Sequence, residues 1–204
     1  MDSGLLTVDS RTMKLYRPVG LKELELILAN NAYPPRLDWQ PIFYPVLNFE
    51  YAQQIATRWN LEDEFSGYAG FVTEFEIDNE YVSQFEVQNV GGKLHNELWV
   101  PADELANFNT HIQGHIQLSA AFYGEKYKGI IAESQWLEGM EVQEQFAFLE
   151  NMLTQEDALK NLVQNEPIPI QINMSYWQNK GFNQTVLSKI REIWGQVFPN
   201  MNLL

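Results

Sequence analysis

Alternation of apolar and polar side chains is sharpest in the middle of the chain. Ala69, Phe71, Thr73, Phe75 and Ile77 alternate with Gly70, Val72, Glu74 and Glu76, the period-two signature of a β-strand with one buried face. A shorter strand is predicted over 13–19. Gly20 interrupts it, and Leu21, Leu24, Ile27 and Leu28 then recur at helical spacing. Residues 30–41 carry Asn-Asn, Pro-Pro and Pro41 among aromatics, the chemistry of a long loop able to cover a site. An aromatic strand is expected over 42–47 despite Pro45, with Asn48 at the N-cap position of a helix over 49–60 that presents Ala52, Ile55, Ala56 and Trp59.

Beyond the acidic turn at 61–67 and the strong strand, a weaker strand is expected near 87–90. Gly91-Gly92 makes a turn, and a strand over 95–100 ends at Pro101. A short helix over 102–108 follows, with Asp103 and Glu104 complementing its N-terminal dipole, and then a strand over 112–123. From there the pattern turns helical: 133–164 is rich in Glu, Gln and Leu, Glu166-Pro167-Ile168-Pro169 breaks it, and Val186, Ile190, Ile193, Trp194 and Val197 restore it over 185–197. The expected class is α+β, an α+β body over 13–128 carrying a mainly helical section over 129–204.

Composition narrows the chemistry. The 204 residues include no cysteine, which removes disulfides, thiolate metal sites and cysteine nucleophiles. A net charge of -14 with 13 Lys and Arg argues against broad nucleic-acid contact. No apolar run is long enough to span a bilayer, and residues 1–12, with Asp2 and Asp9, do not read as a secretory leader. A cytoplasmic location is the expectation. The histidines are His95, His111 and His115; a turn or strand at Gly114 would separate the last two, so no metal is expected.

The segment His95-Asn96-Glu97-Leu98-Trp99-Val100-Pro101 is the first candidate site. Strand alternation places His95, Glu97 and Trp99 on one side, with Leu98 and Val100 entering the core. A carboxylate between an imidazole and an indole can hydrogen-bond a sugar hydroxyl or stabilise developing positive charge. It can equally lie on an ordinary solvated sheet face. Arg17 shares a strand face with Leu15 and Val19, so its guanidinium must pair with a carboxylate or await an anion. Tyr44, between Phe43 and Pro45, is a flat surface with a polar tip or a core residue.

Taken in chain order, these places resemble the ADP-ribosyltransferase fold, a split antiparallel sheet with peripheral helices. Tyr16-Arg17 matches the family's first motif, Ile42-Phe43-Tyr44-Pro45-Val46-Leu47 its second, and His95-Asn96-Glu97 its third. The span from Leu15 to Tyr123 is also similar to bacterial proteins labelled as related to ADP-ribosylation and crystallin J1, in which Leu-Tyr-Arg-Pro-Val-Gly and Glu-Leu-Trp-Val-Pro-Ala strings recur. The resemblance implies NAD as a substrate, with Arg17 and Tyr16 holding phosphate or ribose and Tyr44, Phe43 and Trp99 shaping the nicotinamide pocket. Glu97 would be catalytic, with His95 two residues before it. The activity implied is ADP-ribosyl transfer, to a protein or another acceptor, or NAD glycohydrolysis. Pro45 and Val46 stand where many members carry Ser or Thr, and His95 where Gln or Glu is common. A chain that kept the fold and lost the reaction, acting through protein contacts, is the alternative.

Overall fold

The computed structural model describes residues 11–37 and 40–204; the reading of the N-terminus as lacking a leader falls largely outside them. β1 (Thr12–Val19) runs into α1 (Leu21–Ala29) through Gly20. β2 (Ile42–Phe43) and α2 (Phe49–Arg58) follow, then β3 (Ala69–Asp78) and the short α3 (Asn79–Val82). Next come β4 (Val87–Asn89), β5 (Asn96–Leu98), β6 (Val100–Pro101), a single 3-10 turn, α4 (Leu105–Thr110) and β7 (Ile112–Tyr123). The C-terminal section holds α5 (Val142–Asn151), α6 (Glu156–Asn165), α7 (Pro167–Asn179) and α8 (Gln184–Val197). The protein is mixed α+β with small antiparallel sheets. Among the described residues, no helix is long and apolar enough to cross a membrane.

β3 lies between β1 and β7, antiparallel to both. On the far side of β1 the chain at Val46 bridges Tyr16, and the same residue bridges Glu97 of β5, which pairs with β4. The expected strand over 42–47 is therefore shorter and interrupted. The cause is Pro45: its carbonyl accepts Leu98 N at 2.9 Å, but it has no N–H to return, so the ladder breaks between Phe43 and Val46.

The sheet has two dressed faces. Leu15, Val19, Phe71, Phe75, Ile77, Leu98 and Val100 point into the larger core with α1 and the C-terminal helices. Val46 and Val72 point the other way, where Tyr51, Ala52 and Ala56 of α2 cover them. Gly70 permits that cover, since a Cβ there would stand 2.0 Å from the carbonyl oxygen of Ala56. Trp59, expected on the buried face of this helix, caps its C-terminus and is 56% exposed.

The helical section departs from expectation in two places. Residues 133–140 form an irregular loop, so regular helix starts only at Val142. α7 arises where prolines suggested only a break. Pro167 and Pro169 occupy the first turn of the helix, where backbone N–H groups have no intrahelical partner to lose. The loop is strapped from two sides by buried carboxylates. Glu25 of α1 accepts the backbone N–H of Ala132 (2.8 Å) and Glu133 (3.1 Å). Glu166 accepts Ser134 Oγ (2.8 Å) and the N–H groups of Gln135 (2.9 Å) and Trp136 (2.6 Å).

Candidate functional site

The strand register decides which candidate residues can act together. Residues paired across an antiparallel ladder point to the same face, and neighbours along a strand to opposite faces. Tyr16 pairs with Val46 and Val46 with Glu97, while Phe43 pairs with Val100. Tyr16, Tyr44, Glu97 and Trp99 therefore belong to the face covered by α2, and His95 reaches α2 as well. Arg17 and Phe43 belong to the opposite face. The structure gathers five of the seven candidates and separates the other two.

On the α2 side, Trp99 Nε1 donates to Glu97 Oε1 at 2.7 Å, a charge-assisted bond. The Tyr51 hydroxyl approaches Glu97 Oε2 at 3.5 Å. Tyr44 meets Trp99 edge to face, with centroids 6.1 Å apart. Burial, and then the neighbouring Glu97 charge, push the Tyr51 phenol above its ordinary pKa. The alternation expected for this strand holds, because Leu98 is 2% and Val100 0% exposed while Trp99 is 46% exposed.

His95 is fully engaged. Gly92 N–H donates to Nδ1 at 3.0 Å, so Nδ1 is the acceptor nitrogen and Nε2–H faces Gln54 Oε1 at 3.1 Å. Its ring stacks on Tyr51 at 4.4 Å and 19°. The imidazole fastens the Gly91-Gly92 turn to α2. Tyr51 and Gln54 are the members of this cluster that sequence reasoning missed. Their spacing places them on the flank of α2 beside Ala52 and Ile55, a signal visible only once the sheet face under the helix is known.

Arg17 is 7% exposed. Its Nε (3.0 Å) and Nη2 (2.8 and 3.1 Å) donate to the Glu23 carboxylate, and its Nη1 donates to the Tyr44 carbonyl at 3.1 Å. The guanidinium also lies 5.3 Å from the centroid of the Phe43 ring. Of the two roles open to it, the structure shows pairing with a carboxylate. It ties β1, α1 and the segment after β2 together and so positions Tyr44 from behind the sheet.

Among the described residues, no group of three or more His, Asp or Glu side chains could hold a metal ion. His111 and His115 lie on either side of Gly114, which takes φ +78 at the start of β7. Comparison of the chain with protein-family models, with curated proteins and with solved structures found no match.

Proposed function

We propose that the chain is a non-catalytic binding protein on an ADP-ribosyltransferase-like framework, engaging a protein partner through the β4–β5 hairpin. The observation that carries this reading is the placement of Arg17. An NAD site of the kind implied by the three motifs needs its cation and its glutamate to face one cleft, whereas Arg17 and Glu97 lie on opposite sheet faces and Arg17 is neutralised by Glu23. The hairpin supplies the surface. Val90, Leu94 and Trp99 are 43–46% exposed within ten residues, while Val87, which pairs with Leu98, is exposed on the opposite face. Exposed apolar residues concentrated in this way mark interaction sites. Among the described residues β4 pairs only with β5, so its outer edge offers backbone groups to an added strand.

A second reading, NAD glycohydrolysis or ADP-ribosyl transfer through Glu97 and with no metal, is favoured by the aromatic setting of that carboxylate. Trp99 fixes it 2.7 Å away, and Tyr44 stands beside Trp99 as a stacking surface. A carboxylate so held would strengthen its bond to a ribose hydroxyl as positive charge develops. Calorimetric titration of the chain with NAD separates the readings. The binding-protein reading expects no saturable heat; saturable binding that Glu97→Gln weakens would overturn it.

A further inference from the structure

The backbone of the β4–β5 hairpin fixes which groups its open edge presents. On β5, the Asn96 carbonyl accepts Leu47 N–H at 3.0 Å and Leu98 N–H donates to the Pro45 carbonyl at 2.9 Å. The backbone groups of Glu97, between them, therefore turn to β4, where Gln88 is the partner. Val90 N–H, donating to the His95 carbonyl at 2.9 Å, continues the same phase. Val87 and Asn89 consequently turn their N–H and C=O groups away from β5, and both residues are exposed. No further strand lies beside β4 among the described residues. An antiparallel strand, the arrangement of every ladder among the described residues, would pair through Val87 and Asn89.

The side chains decide what that strand carries. Its residue opposite Gln88 lies on the face of Gln88 and Glu97, two strand spacings or about 9–10 Å from the Glu97 backbone. Glu97 is half-buried and makes no ion pair among the described residues. Its Oε1 accepts Trp99 Nε1 at 2.7 Å, while Oε2 has only the Tyr51 hydroxyl at 3.5 Å. The neighbouring imidazole supplies no countercharge, because His95 Nδ1 accepts the Gly92 N–H. A half-buried carboxylate with acceptor capacity to spare and no countercharge calls for a cation. Trp99, 46% exposed and bonded to that carboxylate, adds an aromatic face, which a planar guanidinium covers better than an ammonium does.

We propose that β4 accepts an extended segment of a protein partner whose arginine, opposite Gln88, stacks on Trp99 and pairs with Glu97. This rests on the hairpin reading given under the proposed function and supplies the partner's chemistry. Val90 is exposed on the same face, so the partner carries an apolar residue two positions from the arginine. The net charge of -14 favours encounter with such a basic segment.

NMR titration of the isotopically labelled full chain with the peptide acetyl-Val-Thr-Arg-Thr-Val-amide tests the proposal. Saturable shifts are expected at the Val87 and Asn89 amides and at the Trp99 indole N–H. Citrulline in place of the peptide's arginine keeps the shape and loses the charge, and is expected to weaken binding at least about tenfold. Glu97→Gln is expected to bring the arginine peptide down to the citrulline affinity and leave the citrulline peptide unchanged, a pattern that a merely structural Glu97 would not give. N-methylation of both threonines, whose N–H groups face β4, is expected to abolish binding without altering the protein. No saturable shift with the arginine peptide, arginine-peptide affinity unchanged in Glu97→Gln, or binding that survives N-methylation would overturn the proposal. Equal affinity for the arginine and citrulline peptides at β4 would overturn it and leave the hairpin reading standing, whereas saturable NAD binding weakened by Glu97→Gln overturns that reading itself.

Discussion

Glu97 and Glu166 are both carboxylates beside tryptophans, and the fold uses them in opposite ways. Glu166 is 2% exposed and accepts two backbone N–H groups and the Ser134 hydroxyl, so it is spent on holding a loop. Glu97 is half-buried, and its close partners are the side chains of Trp99 and Tyr51. Side-chain donors can swing away, whereas backbone donors cannot without unmaking the loop. The contrast separates a carboxylate built for architecture from one that a ligand or partner can still claim. Arg17 falls on the architectural side of the same line, because its donors serve Glu23 and the Tyr44 carbonyl.

The largest effect is expected at Glu166. Glu166→Ala removes the buried acceptor shared by two N–H groups and a hydroxyl of a part-buried loop, and should cost about 3–5 kcal/mol in chemical denaturation. A loss under about 1 kcal/mol would show that the strap is replaceable. Arg17→Ala should follow at about 2–4 kcal/mol, because it leaves Glu23 and the Tyr44 carbonyl without their donor. Glu23→Gln in the Arg17→Ala background should add less than it does alone, and a double-mutant cycle measures that coupling.

Glu25 gives a smaller effect with a definite sign. Burial pushes its carboxyl above the ordinary value of 4.5, and the N–H groups of Glu133 and Ala132 recover only part of that. A carboxyl whose folded pKa is raised binds protons more readily folded than unfolded, so stability declines as pH rises from 4.5 through the folded value. Glu25→Gln should flatten the stability curve in that window and leave it unchanged at lower pH, as read from denaturation midpoints across pH. The smallest effect is expected at Tyr51→Phe, which removes a long 3.5 Å hydrogen bond and keeps the stack on His95. It should shift stability by less than about 1 kcal/mol.

Much of the Glu97 side was legible in the chain because alternation is local. The period-two pattern of residues 95–100 was enough to place Leu98 and Val100 in the core and Trp99 outside. Arg17 was legible as a residue needing a partner, yet its partner was not. Glu23 lies only six residues away, but whether a helix turns it back over β1 depends on the packing of α1. The loop straps were beyond reach, since Glu25 meets Ala132 across more than a hundred residues. α7 was hidden differently. It is buried nearly all round, from Pro169 to Trp177, so it lacks the one-sided periodicity that reveals a surface helix, and its prolines read as breakers when they are first-turn residues.

The division of the candidates between two sheet faces is the centre of this account, and nicotinamide release from NAD addresses it most directly. With saturating NAD, the wild-type chain should release nicotinamide no faster than buffer and no faster than Glu97→Gln. Release above the buffer rate, lost in Glu97→Gln and retained in Tyr51→Phe, would show that Glu97 works on NAD without an arginine on its own face and would contradict the account.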